Sequence, residues 1–145
     1  MELSRYLACE WKPALGCTEP ASIAFAAASA AGLAAGLVLM EGGTPEQVAL
    51  AMNNMVGNVT GMICDGAKIG CALKTMTSVD AALRAASLAL SGVGIPVTNG
   101  IVAASGEESL RNLGRIARRG MVETDAEILR IMQDKLRRIT PEQQA

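Results

Sequence analysis

The sequence predicts an all-α fold: one compact, Ala/Gly-rich bundle of about six helices. Three observations lead there. No stretch alternates apolar and polar residues with the two-residue period of a strand. Helix-start signals recur, each ahead of apolar residues at three- and four-residue spacing: Thr44-Pro45-Glu46-Gln47, Ser105-Gly106-Glu107-Glu108 and Thr124-Asp125-Ala126-Glu127. Half of the 145 residues are apolar, yet only Tyr6, Trp11 and Phe25 are aromatic. The core must then be built from Ala, Leu, Ile, Val and Met, and small side chains let helices cross closely. A chain of this length buries one core of ordinary domain size.

Each element follows from local signals. Residues 2–10 read as a short amphipathic helix carrying Leu3, Tyr6, Leu7 and Glu10. Trp11 to Glu19 reads as a loop broken by Pro13 and Gly16. Pro20 suits a first helical turn, where its missing N–H costs nothing, and opens an Ala-rich helix that stops at Gly42-Gly43. Thr44 is an N-cap with Pro45 at the first helical position, and the helix behind it carries Val48, Ala51, Met52, Met55 and Val56. Gly57 to Gly61 weakens that helix. A helix resumes near Ala67 and runs to Thr75, and Ser78 is expected to cap a separate one with Ala82, Leu83, Ala86 and Leu90. Ser91 to Gly100 is a loop. Ser105 opens a helix that Gly120 closes, Thr124 opens the last, and the polar tail after Arg138 frays.

Composition removes several function classes. The chain has no histidine, so histidine triads, zinc–histidine sites and imidazole bases are excluded. A net charge of −1 gives no global footprint for nucleic acid or an anionic membrane. Arg115, Arg118 and Arg119 are balanced by Glu107, Glu108 and Glu123, as on a solvated helix face. Ala21 to Met40 holds no charge over twenty residues, but its many Ala and Gly residues and its acidic flanks, Glu19 and Glu41, favour a buried helix over a membrane span. The first residues lack the basic and apolar regions of a secretory signal, so the expected compartment is cytoplasmic, with thiols reduced or metal-bound rather than paired as disulfides.

The chemistry then falls to thiols, carboxylates, lysines and amides. Cys17 lies in Gly16-Cys17-Thr18-Glu19-Pro20, and Cys64 and Cys71 bracket Asp65-Gly66-Ala67-Lys68-Ile69-Gly70. Two readings of Cys17 stand: a small buried hydrophobe, or a thiolate favoured by the positive end of the helix that Pro20 starts. Six residues separate Cys64 from Cys71, which is neither a zinc knuckle nor the common ferredoxin spacing. The crowd of Gly61, Gly66 and Gly70 nevertheless permits close backbone approach to a bulky group. Lys68 is a candidate base, since lysine loses its proton readily on burial. Asn53, Asn54, Asn58 and Thr60 are polar groups on an otherwise apolar helix, to be satisfied by backbone or by a ligand. The methionines, Met52, Met55, Met62 and Met76 among them, read as core filler, and Cys9 as a structural residue.

Longer motifs add to this. Lys12-Pro-Ala-Leu-Gly-Cys-Thr-Glu-Pro20 resembles the N-terminal signature of the L-cysteine desulfidase and serine-dehydratase-like alpha family, and Gly61-Met-Ile-Cys-Asp-Gly-Ala-Lys68 with Cys71-Ala-Leu-Lys74 resembles its C-terminal signature. The similarity extends through Asn99 to Ala103, Asn112-Leu113, Thr124-Asp125 and Ile131-Met132. The resemblance implies an iron–sulfur lyase that holds a 4Fe-4S cluster on three cysteines. Such a lyase eliminates hydrogen sulfide from L-cysteine, or water from L-serine, to give pyruvate and ammonia. Cys17 and Cys64 match ligand positions, and Cys71 matches a cysteine often present in the motif. Lys68 and Glu19 become the expected catalytic groups, and Thr18, Asn54, Asn58 and Asp65 the expected substrate-binding ones. The expected partner is a small amino acid, with no nucleic acid and no membrane; a homodimer is compatible with the sequence. The single domain divides into the N-terminal signature at 1–20, the helical region at 21–138 and the tail at 139–145. The family's long central region is missing between the two signatures, and Ala24 stands near the place of a further ligand cysteine.

Overall fold

The structure, a computed structural model, describes residues 20–63 and 68–138, with side chains from residue 29 onward and, after the 64–67 gap, from residue 69. It is all-α. Five α-helices, α1 (Pro20–Met40), α2 (Pro45–Val59), α3 (Lys68–Leu90), α4 (Gly106–Arg115) and α5 (Val122–Arg138), are joined by turns, with a π-helical turn, Ile116–Gly120, between the last two. No strand occurs among the described residues. The expected helix at 2–10 and the tail after residue 138 lie outside them.

Helices α1, α2 and α3 pack against one another, and α4 closes the group against α2 and α1. The seams are built of alanine. From α1 come Ala30, Ala31, Ala34 and Val38, and from α3 come Ala81, Ala82, Ala85, Ala86 and Ala89. Both sets recur every three or four residues, so each forms one stripe. Larger side chains enter from α2 and α4: Met55, Val56 and Leu113 are fully buried, each contributing about 1.5–3 kcal/mol by leaving water. Gly106 lets α4 approach α2, because a Cβ there would lie 2.6 Å from the Met52 sulfur.

The helix ends follow the sequence signals closely in the first half. Thr44 accepts from the Gln47 N–H (3.3 Å), while the Gln47 side chain accepts from the Thr44 N–H (2.9 Å), a complete capping box. α1 and α3 both end with a glycine at positive φ, Gly42 (74°) and Gly92 (73°). In each case a six-residue hydrogen bond closes the turn, Gly43 N–H to Val38 O (2.9 Å) and Val93 N–H to Leu88 O (2.8 Å).

Two expectations are corrected. Ser78 caps nothing, because Lys68–Leu90 is one continuous helix. Its hydroxyl donates to Lys74 O (2.9 Å), and Thr75 and Thr77 bond back to Cys71 O and Leu73 O in the same way (both 3.1 Å). A hydroxyl can serve the preceding turn as well as a cap, so a serine beside a helical pattern does not by itself mark a start. The last helix begins at Val122, two residues before the expected Thr124 cap, with Asp125 N–H bonding back to Met121 O (2.9 Å). No residue of α5 is buried.

Candidate functional site

The arrangement of α1, α2 and α3 fixes where the cysteine segments are attached. Asn54 of α2 reaches Ala85 O, while Gln47, two turns earlier, reaches Leu90 O (3.0 Å); α2 and α3 are therefore antiparallel. The Gly42-Gly43 turn makes α1 and α2 antiparallel too, so α1 and α3 run parallel and end at one level, near Met40 and Leu90. They have 21 and 23 residues, so at 1.5 Å per residue they are of nearly equal length, and their starts, Pro20 and Lys68, lie toward the same end of the bundle. α2 stops short of this tip. Met62, just past its end, lies at Ser78 (Sδ to Oγ 3.8 Å), so the first ten residues of α3 run on beyond it.

The expected site residues distribute as follows. Cys71 is half-buried on the first turn of α3. Lys68 is the first residue of that helix, and its side chain lies outside the described set, as do Cys17, Thr18, Glu19, Cys64 and Asp65. The two motifs holding these six residues lead directly into Pro20 and Lys68, the paired helix starts. Asn58 is exposed near the end of α2, short of the tip. No group of three or more His, Cys, Asp or Glu side chains forms a metal centre among the described residues. Their one cysteine, Cys71, supplies a single soft ligand, so a 4Fe-4S cluster fits this chain by donor type only together with Cys17 and Cys64.

Asn54, one of the expected substrate-binding residues, is bonded within the protein. It is 6% exposed, and its amide is spent on the protein. Nδ2 donates to Val93 O (3.0 Å) and reaches Ala85 O (3.5 Å), and Oδ1 accepts from Ile95 N–H (2.9 Å). It ties the end of α3 and the following loop to the middle of α2, and no group remains for a substrate. Its neighbour Asn53 does the same for the far side of the loop: Nδ2 donates to Ala103 O (2.9 Å), and Oδ1 accepts from the Ser109 hydroxyl (2.6 Å). Ser109, 0% exposed, also accepts from Ala103 N–H (2.8 Å). Asn112 Nδ2 holds Ile101 O (2.9 Å). Sequence reasoning passed over Ser109. Its signal was a serine on the apolar face of α4, one turn before Leu113.

With this geometry in view, the family is decided by a match over residues 13–130 to the serine dehydratase alpha chain family. The chain belongs to that family. Its relatives include UPF0597 proteins of Desulforapulum autotrophicum (47% identical over 109 residues, 75% of this chain and 25% of the relative) and Caldanaerobacter subterraneus (48% over 108 residues, 74% and 26%). A third, from Clostridioides difficile, is 44% identical over 107 residues, 74% of this chain and 25% of its own length. The chain thus spans about a quarter of the length of the curated relatives it matches. No solved structure matches it. Among the described residues no helix, α1 included, is long and apolar enough to cross a membrane.

Proposed function

We propose that this chain is the cysteine-bearing helical part of a cytoplasmic iron–sulfur lyase of serine dehydratase type, removing water from L-serine or hydrogen sulfide from L-cysteine. The single observation that carries the reading is that α1 and α3 run parallel and start toward the same end of the bundle, each directly preceded in sequence by a cysteine motif. Family membership supports it. In this reading Cys17, Cys64 and Cys71 hold a 4Fe-4S cluster. When bound, such a cluster supplies a Lewis-acidic iron that polarises the leaving group or the carboxylate. Lys68 takes the α-proton, the Cβ–O or Cβ–S bond breaks with its electron pair on the leaving atom, and Glu19 returns a proton to that atom. The enamine left behind tautomerises and takes up water, releasing ammonia and pyruvate. Thr18 and Asp65 orient the amino acid; Asn58, short of the tip, and Asn54, bonded within the protein, take no part in this reading.

Anaerobic reconstitution with iron and sulfide tests the reading. The expected result is visible charge-transfer absorption with about four irons per chain, lost in Cys17→Ser and Cys64→Ser, weakened in Cys71→Ser and kept in Cys9→Ser. Reconstituted protein whose four thiols all still react freely with a thiol reagent would sink it.

The quarter length favours a second reading, a helical module of the family without turnover of its own. It predicts a cooperative helical melt and no pyruvate from serine or cysteine. Pyruvate formed by the isolated chain excludes it.

A further inference from the structure

The outer face of α3 carries a row of large apolar side chains that nothing in the described structure covers. Ile69, Leu73, Met76 and Leu83 follow one another at intervals of four, three and seven residues, which places them on one line along the helix. Ile69 is 81% exposed and Met76 68%, while Leu73, Val79 and Leu83 are also exposed. A contiguous apolar patch of this kind on a folded domain marks an interaction surface. The charged pair beside it, Asp80 and Arg84, is joined internally at 2.9 Å, so the row offers no net charge to select an acidic or basic peptide. Its narrowness fits an apolar helix laid alongside.

We infer that this row is the docking face for the part of the serine dehydratase alpha fold that the longer relatives carry beyond the quarter matched here. The length relation names the occupant. The relatives are 47% and 48% identical to this chain, yet have about three further quarters of sequence, which must pack somewhere. Position supports it as well. The row runs past the end of α2 to the tip where both cysteine motifs are tethered, so a segment covering it also walls that tip from water. This last point rests on the proposed function; the docking itself does not.

The test pairs this chain with the unmatched segment of the Caldanaerobacter relative, co-expressed without added iron so that cluster formation plays no part. Oxidation of Met76 by dilute peroxide, read by mass spectrometry, is the probe, and Met40 (84% exposed, on α1) is the internal reference. The expected result is a one-to-one complex in which Met76 oxidises about tenfold more slowly than in the chain alone, the protection given by lost solvent access. Ile69→Lys with Leu73→Lys should abolish both complex and protection while leaving the helical circular dichroism of the chain intact. A fusion of segment and chain in the relative's order serves as the second arm if the separate segment is insoluble, with the same protection expected. Met76 oxidising in complex and fusion as fast as in the isolated chain overturns the proposal. So does a complex that survives the double substitution, or a homodimer of this chain that already protects Met76.

Discussion

The two halves of α3 are made differently. From Ala81 to Leu90 the helix buries five alanines against α1 and α2, and its end is tied to α2 by Asn54 and Gln47. From Ile69 to Asp80 no residue is buried, although the apolar side chains there are larger. Burial along this helix therefore does not follow side-chain size. The larger Ile69, Leu73 and Met76 face outward, and the five alanines form the seam. Close helix approach explains the second fact, since alanine against alanine leaves no gap to fill. The exposed half has no such account within the folded unit, and that is the reason to look for its partner outside it.

The sharpest break in this comparison comes from Asn54. Asn54→Ala removes the link between α2, the end of α3 and the loop at 93–95, and leaves buried backbone groups without partners. The expected loss is about 3 kcal/mol, at the upper end for one buried polar side chain with several bonds. Urea denaturation measures it. A loss below about 1 kcal/mol would mean that the loop finds other partners and that the amide is not what locks the buried half.

Alanine enlargement sharpens the same contrast at a smaller scale. Ala82→Leu places three extra carbons in a seam where the residue is 0% exposed, and should cost about 2 kcal/mol. Ala72→Leu, on the exposed half, should change stability by no more than about 0.5 kcal/mol in the isolated chain. Equal effects at the two positions, read from paired denaturation curves, would refute the division of α3.

How much of this was legible in the sequence depends on the distance over which the cause acts. The Thr44 cap, the Gly42 stop and the Ser105 cap are short-range devices, and the structure has them where the residues predict. The merging of two expected helices into α3 was hidden because Thr75, Thr77 and Ser78 satisfy the preceding turn of the same helix, which the residue types alone do not reveal. Met76, expected as core filler, is exposed because spacing gives a stripe but not the side that finds a partner. Of the candidate site, the motifs were legible and the tip they share was not. That tip emerges from the relative lengths and directions of α1 and α3, which depend on contacts between Gln47, Asn54 and residues some 30 to 40 positions away. Asn54 itself could be read as either a ligand group or a backbone partner, and the loop that claims it is too remote in sequence to have decided the matter.

The smallest expected effect lies at the start of α2, the element that locks the buried half of α3. Glu46 sits in the first turn, where a backbone N–H and then the Thr44 hydroxyl hold its carboxyl below the ordinary glutamate value; both favour the charged form. A carboxyl whose pKa falls on folding stabilises the fold when ionised. Its contribution is complete above the unfolded-state value and is lost as pH drops through the lowered folded-state value. Glu46→Gln should therefore lower Tm slightly at neutral pH, and the gap to the parent chain should close as the pH is taken down through the carboxylate range. Thermal melts of both proteins at matched ionic strength provide the measurement. A gap that stays constant or widens toward acid would assign the effect to side-chain hydrogen bonding that glutamine fails to reproduce, and not to charge at the helix start.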